Sequence, residues 1–233
     1  MKKRGKPYVK SLGYSGKFKV FLVDGEYVRD NFCEDFINEG QQLHFNFIPK
    51  KEFWISKEKF PGEEVYFIDH LKVEHRLMKE GMPYCKAYRH ALLIQRRERA
   101  KSKIIAGLKK LGKNNPEVIH KIHKKLIEKH NNSIKVFLVN GEIVRDLFDP
   151  DFGGGGHDKV YPYVPKNEIW LDDDFSLKER RFILVHELRE RRLMKHKNWN
   201  YKKAHKQATE LEDFCRHHPK KLEKAIALEL KRQ

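Results

Sequence analysis

Hydrophobic and polar positions along this chain repeat. The run KVFLVDGEYVRDNF from Lys19 returns as KVFLVNGEIVRDLF from Lys135, an offset of 116 residues. The register then holds without a gap. Pro49, Lys50, Glu52 and Trp54 fall on Pro165, Lys166, Glu168 and Trp170, and His70, Glu74, Arg76, Leu77 and Met78 fall on His186, Glu190, Arg192, Leu193 and Met194. About 25 of the 61 positions from Lys19 to Lys79 are identical. A period of this length marks a duplicated domain, not a solenoid repeat.

Each copy opens with a β-rich run, an Asp24-Gly25 or Asn140-Gly141 pair and a second run, which predicts a tight-turn hairpin. A third strand is expected over 168–171. Ser176 and Glu179 form the S-x-x-E start of a helix reaching about Lys197, and a further helix is expected from Tyr201 to Arg216. Asn115-Pro116 opens a helix between the copies, and Pro219 opens a terminal one. The expected fold class is α+β, a tandem duplication in which each copy is a small antiparallel sheet with helices packed on one face. The expected boundaries are a basic tail over 1–18, a degenerate first copy over 19–103, a basic helical connector over 104–134 and a second copy over 135–233.

Composition agrees with two modest cores. The chain has 233 residues, 39% of them hydrophobic and 36% charged, the balance of a soluble globular protein. Apolar runs such as Val20 to Val23 are far shorter than the roughly 20 residues a membrane helix needs, and the basic start has no apolar stretch of a secretory signal. A cytoplasmic address without membrane contact is expected. Cys33, Cys85 and Cys215 are odd in number and widely spaced, which predicts reduced thiols. The formal charge of +17 is uneven. Residues 1–19 hold seven Lys/Arg and no acid, and residues 104–134 hold seven against two acids. Lys2, Lys3, Arg4, Lys6, Lys109 and Lys110 are the candidate contacts to nucleic acid or another polyanion, with an affinity that falls steeply with salt. Solvated basic ends with no specific partner explain the same charge.

The candidate chemistry lies in FILVHELRERRLM. On a helical wheel His186 and Glu190 share an apolar sector with Ile183, Leu193 and Met194. A carboxylate buried there costs several kcal/mol unless a partner, proton or metal compensates it. Residues at i and i+4 can chelate one ion, Glu187 sits at the edge of the sector as a candidate catalytic base, and His205 and His157 are the candidate further ligands. Zinc or another divalent transition metal is the expected cofactor. The alternative is a structural His-Glu hydrogen bond, since His70 and Glu74 repeat the pair in the first copy. The copies differ elsewhere: His157 faces Gln41, Glu187 faces Leu71 and, allowing one inserted residue, His205 faces Tyr88. Trp54 and Trp170 are expected to be core anchors, and Asp172, Asp173 and Asp174 a solvated turn.

VPKNEIWLDDDF, VHELRERRLM and YKKAH together resemble an uncharacterised group of phage and prokaryotic proteins that is distantly similar to zincin metallopeptidases. The resemblance covers about residues 135–216. It implies His186 and Glu190 as metal ligands and Glu187 as general base, although Glu190 stands where HExxH motifs have a second His. The expected function is a metal-dependent hydrolase acting on a protein or peptide substrate, with only the second copy active. The competing expectation is a non-enzymatic, nucleic-acid-associated or phage-type accessory protein with structural His-Glu pairs. A metal-dependent nuclease ranks third, for want of clustered acidic magnesium ligands.

Overall fold

A computed structural model describes residues 7–112, 115–130 and 134–233. The chain divides into two compact units, one running to Lys103 and including Asp149–Asp151, the other formed by Ile104–Phe148 and Phe152–Gln233. Each holds a four-stranded mixed sheet with helices among the described residues, so the α+β class and the duplication are both present. The first unit contains β1 (Tyr8–Ser15), β2 (Phe18–Val23), α1 (Gly25–Asn31), β3 (Glu39–Gln41), β4 (Glu52–Ser56), α2 (Glu64–Lys79) and α3 (Tyr84–Arg99). The second contains α4 (Ala106–Leu111), α5 (Pro116–Ile122), β5 (His123–His130), β6 (Ile134–Val139), α6 (Gly141–Leu147), β7 (Gly155–His157), β8 (Glu168–Asp172), α7 (Leu177–Lys197), α8 (Tyr201–His217), a 3-10 turn over Pro219–Lys221 and α9 (Leu222–Lys231).

The Asx-Gly pairs are helix starts, not hairpin turns. Asp24 and Asn140 both have φ −75°, and their side chains accept hydrogen bonds from the backbone N–H of Tyr27 and Ile143, so they cap α1 and α6. The antiparallel partners lie upstream instead. β1 pairs with β2, and β5 pairs with β6. Residues expected to be a basic tail and a helical connector thus supply the edge strands of the two sheets. Lys109 and Lys110 are exposed on α4, whereas Lys2, Lys3, Arg4 and Lys6 lie outside the described residues. Among the described residues no helix is long and apolar enough to cross a membrane.

The strand order is β1-β2-β4-β3 in one sheet and β5-β6-β8-β7 in the other. Because α1 and α6 carry the chain across, β2 runs parallel to β4 and β6 parallel to β8, which makes the sheets mixed where a fully antiparallel arrangement was expected. Alternation then sends side chains to two covered faces. In the first unit Val20, Phe53 and Ile55 pack with Phe67 and Leu71 of α2, while Val23 and Trp54 pack with Val28 of α1. Helices therefore cover both faces, not one. Trp54 and Trp170 are buried as expected, and each donates its indole N–H to Glu52 or Glu168 two residues before it.

The acidic run before α7 is no solvated turn. Asp172 and Asp174 both accept from Arg145, whose side chain is fully buried, and Asp173 pairs with Lys124. Replacing Asn140 discriminates a cap from a turn. Asn140→Ala should cost about 1 kcal/mol and Asn140→Gly only a few tenths, read from the midpoint of urea unfolding; equal losses would remove the cap.

Candidate metal centre

Three elements bring the site together. Asn200 caps α8, its side chain accepting from Lys203 N–H, and Ser176 caps α7, accepting from Glu179 N–H. The Glu179 side chain also binds Arg216 of α8. That contact ties the two helices together and sets His186 and Glu190 of α7 opposite His205 of α8. The third element is β7, where the glycines before His157 allow close approach to α7. A Cβ on Gly155 would lie 2.7 Å from Ile183 Cγ2 and 3.2 Å from Glu187 Cγ, so a larger residue could not sit there unchanged.

The structure places His157, His186, Glu187, Glu190 and His205 in one cluster. His186 Nε2 is 3.1 Å from His205 Nδ1, which is 2.8 Å from Glu190 Oε2, and the third edge, His186 Nε2 to Glu190 Oε2, is 3.8 Å. Ligands about 2.0–2.1 Å from a tetrahedral zinc lie about 3.3 Å apart, the middle of this range. His186, Glu190 and His205 are thus a group that can hold a metal ion. Glu190 is almost wholly buried, whereas the His205 side chain is 37% exposed, so the triangle opens towards solvent on the α8 side.

Proton positions separate ligands from supports. His186 Nδ1 lies 3.0 Å from Glu212 Oε2. A carboxylate only accepts, so Nδ1 carries a proton, and Nε2 is the nitrogen left to face an ion between Glu190 and His205 once it gives up its own proton. Glu212 is held in turn by Arg216, which also binds Glu179 through both terminal nitrogens. His157 is different. Its Nδ1 accepts from Lys159 N–H at 3.1 Å, which leaves the proton on Nε2 to be donated to Glu190 Oε1 at 3.0 Å. A nitrogen in that state has no lone pair for a metal, so His157 orients Glu190, and the triangle is the better ligand set of the two that share this carboxylate.

The first copy supports both assignments. Gln41 accepts from Leu43 N–H through Oε1 and donates Nε2 to Glu74, reproducing the two bonds of His157 with an amide. Opposite His70 stands Gln95 in place of Glu212. With Arg99 donating to its oxygen, the Gln95 amide nitrogen lies 3.0 Å from His70 Nδ1 and donates to it. The proton of His70 is thereby forced onto Nε2, the nitrogen that would have to bind an ion. Tyr88 replaces the third ligand, and its ring lies edge-on to His70. Two carboxylates lie near His70 Nε2: Glu74 at 3.5 Å and, from β3, Glu39 at 3.9 Å. Glu39 occupies the position of Gly155, and Leu71 that of Glu187.

Electrostatics in the second copy call for a cation. Burial alone would lower the pKa of His186, but hydrogen bonds to Glu190 and Glu212 prevail and raise it to about 10. Burial raises Glu187 to about 8, and the charge of Glu190 adds to this. Glu190 is held well below the ordinary carboxylate range: the bonds from His157, His186 and His205 outweigh its burial. Sequence reasoning missed Glu212, Arg216 and Glu179. They are legible only when α8 is aligned on α3 with the extra residue, which sets Gln95 and Arg99 against Glu212 and Arg216.

Two substitutions test the proton assignment. Glu212→Gln gives His186 the partner of His70 and should weaken metal binding by about 10- to 100-fold, whereas His157→Gln, which copies Gln41, should leave it nearly unchanged. Competition titration with a chromogenic chelator measures both, and equal losses would refute the assignment.

No family model, curated protein or solved structure matches this chain; the site is read from its own geometry and from the contrast between its two copies.

Proposed function

We propose that the second copy is a zincin-like, metal-dependent hydrolase site, with peptides as the leading substrate class, and that the first copy is its non-catalytic counterpart. The observation that carries this reading is the triangle of His186 Nε2, His205 Nδ1 and Glu190 Oε2, at the spacing of tetrahedral zinc ligands and backed by Glu212. The phage and prokaryotic resemblance of VHELRERRLM and YKKAH points the same way.

Each residue has a separable task. His186, Glu190 and His205 would hold the ion, with a fourth position on the exposed side of His205. Glu212 and Arg216 fix the ring of His186, and His157 fixes Glu190. A bound divalent metal would supply Lewis acidity, polarising a scissile carbonyl and making a water a stronger acid. Glu187 offers a carboxylate atom within 4.8 Å of Glu190 and His157, next to the ligands but outside the triangle. Its raised pKa suits a group that takes a proton from attacking water and returns it to the leaving amine.

Protein purified without added metal should contain about one zinc or similar ion per chain. His186→Ala and Glu190→Ala should lose it, while Glu187→Gln should keep it and lose hydrolysis by at least about 100-fold. Elemental analysis and turnover of a fluorogenic general peptide substrate read the two effects. Full activity in Glu187→Gln would end the catalytic assignment, and absence of metal with no uptake would return the His-Glu pair to a structural role.

A further inference from the structure

The helices that carry the two histidines differ in what covers their basic sides. In the second unit α9 packs against α7. Its Leu222, Ile226 and Glu229 are buried and lie on one helical face. Glu229 accepts from Arg189 at 2.9 Å and from Arg192 at 2.5 Å, and Gln233 accepts from Arg191 through its side chain and from His196 through its backbone carbonyl. A row of cations is thus neutralised and bonded by the end of one amphipathic helix.

The first unit keeps part of this row, with Val73 in the place of Arg189, and has no such helix among its described residues. Arg76 and Lys79 occupy the positions of Arg192 and Lys195, and His75 that of Arg191. The next helix in the chain, α4, belongs to the second unit and packs with α5. What remains beside α2 is a cleft of about 420 Å³, lined by Lys17, Phe18, Lys72, His75, Arg76 and Lys79, with Glu80 as its one acidic residue. Among the described residues Arg76 and Lys79 make no ion pair. Phe18 and His75 form an edge-on aromatic floor at 4.6 Å, and Val65, nearly three turns back along α2, is 54% exposed. The cleft therefore combines an apolar strip with unneutralised cations at the end of the strip, as the α7 face does before α9 is counted.

We infer that this face of α2 docks an amphipathic helix of a partner protein, one that carries carboxylates near its C-terminal end and sits as α9 sits on α7. Charge complementarity selects the occupant: with Lys72 paired to Asp69, three cations, Lys17, Arg76 and Lys79, against Glu80 favour an acidic helix over a neutral one. The inference is independent of any metal chemistry, since none of these residues belongs to the ligand cluster.

A hydrocarbon-stapled peptide of residues 218–233, fluorescently labelled, serves as the probe against the full chain. It should bind, and Arg76→Glu with Lys79→Glu should weaken it by about tenfold or more, as should Glu229→Lys in the peptide. Both protein substitutions are at exposed positions, and an unchanged circular dichroism melt would show that the fold is kept. No binding, or binding indifferent to the two charge reversals, overturns the inference. So does a result in which a short DNA duplex binds through Arg76 and Lys79 while the peptide does not, which would make the cleft a phosphate site.

Discussion

A buried imidazole has one proton to place and two nitrogens to place it on, and the group facing Nδ1 decides. The two copies differ in that group. Glu212 can only accept, so the His186 proton at Nδ1 is fixed and Nε2 is the nitrogen free to exchange its proton for an ion. Gln95, its oxygen already engaged by Arg99, donates, so His70 presents an N–H. The exchange of a carboxylate oxygen for an amide nitrogen beside Nδ1 changes which nitrogen of the ring must carry the proton.

The framework that enforces the choice is the same in both units. Arg216 binds Glu179 and Arg99 binds Glu63, each pair buried and each joining the helix of the histidine to the one after it. Removing one member of such a pair strands a charge in the interior at a cost of about 3–5 kcal/mol. The arginines thus serve stability first, and the chemistry is set by which group they hold against the histidine. The same buried arginine pair thus supports either proton arrangement of the histidine.

Much of this was legible in the sequence, unevenly. The gapless offset exposed the duplication, and 3.6-residue periodicity exposed α7, its Ser176 cap and the shared sector of His186 and Glu190. The hairpin reading failed at Asp24 and Asn140 because an Asx-Gly pair serves equally as a turn or as a cap followed by a small first residue. The missing edge strands went unread because β1 and β5 face solvent, and basic, weakly apolar segments look like tails. Convergence of His157 and His205 on α7 was anticipated from what the first copy lacks, but their different roles depend on hydrogen bonds to Lys159 and Glu190 that no spacing encodes. Glu212 was hidden by the extra residue that shifts α8 relative to α3.

The close packing of β7 on α7 carries one more consequence. Each pocket receives a carboxylate from a different place, Glu39 on the strand of the first copy and Glu187 on the helix of the second, and each is matched by Leu71 or Gly155 opposite. A chain with both acids would crowd two extra negative charges around a ring that already faces Glu74 or Glu190, so the leucine or glycine opposite each acid keeps the charge of its pocket down.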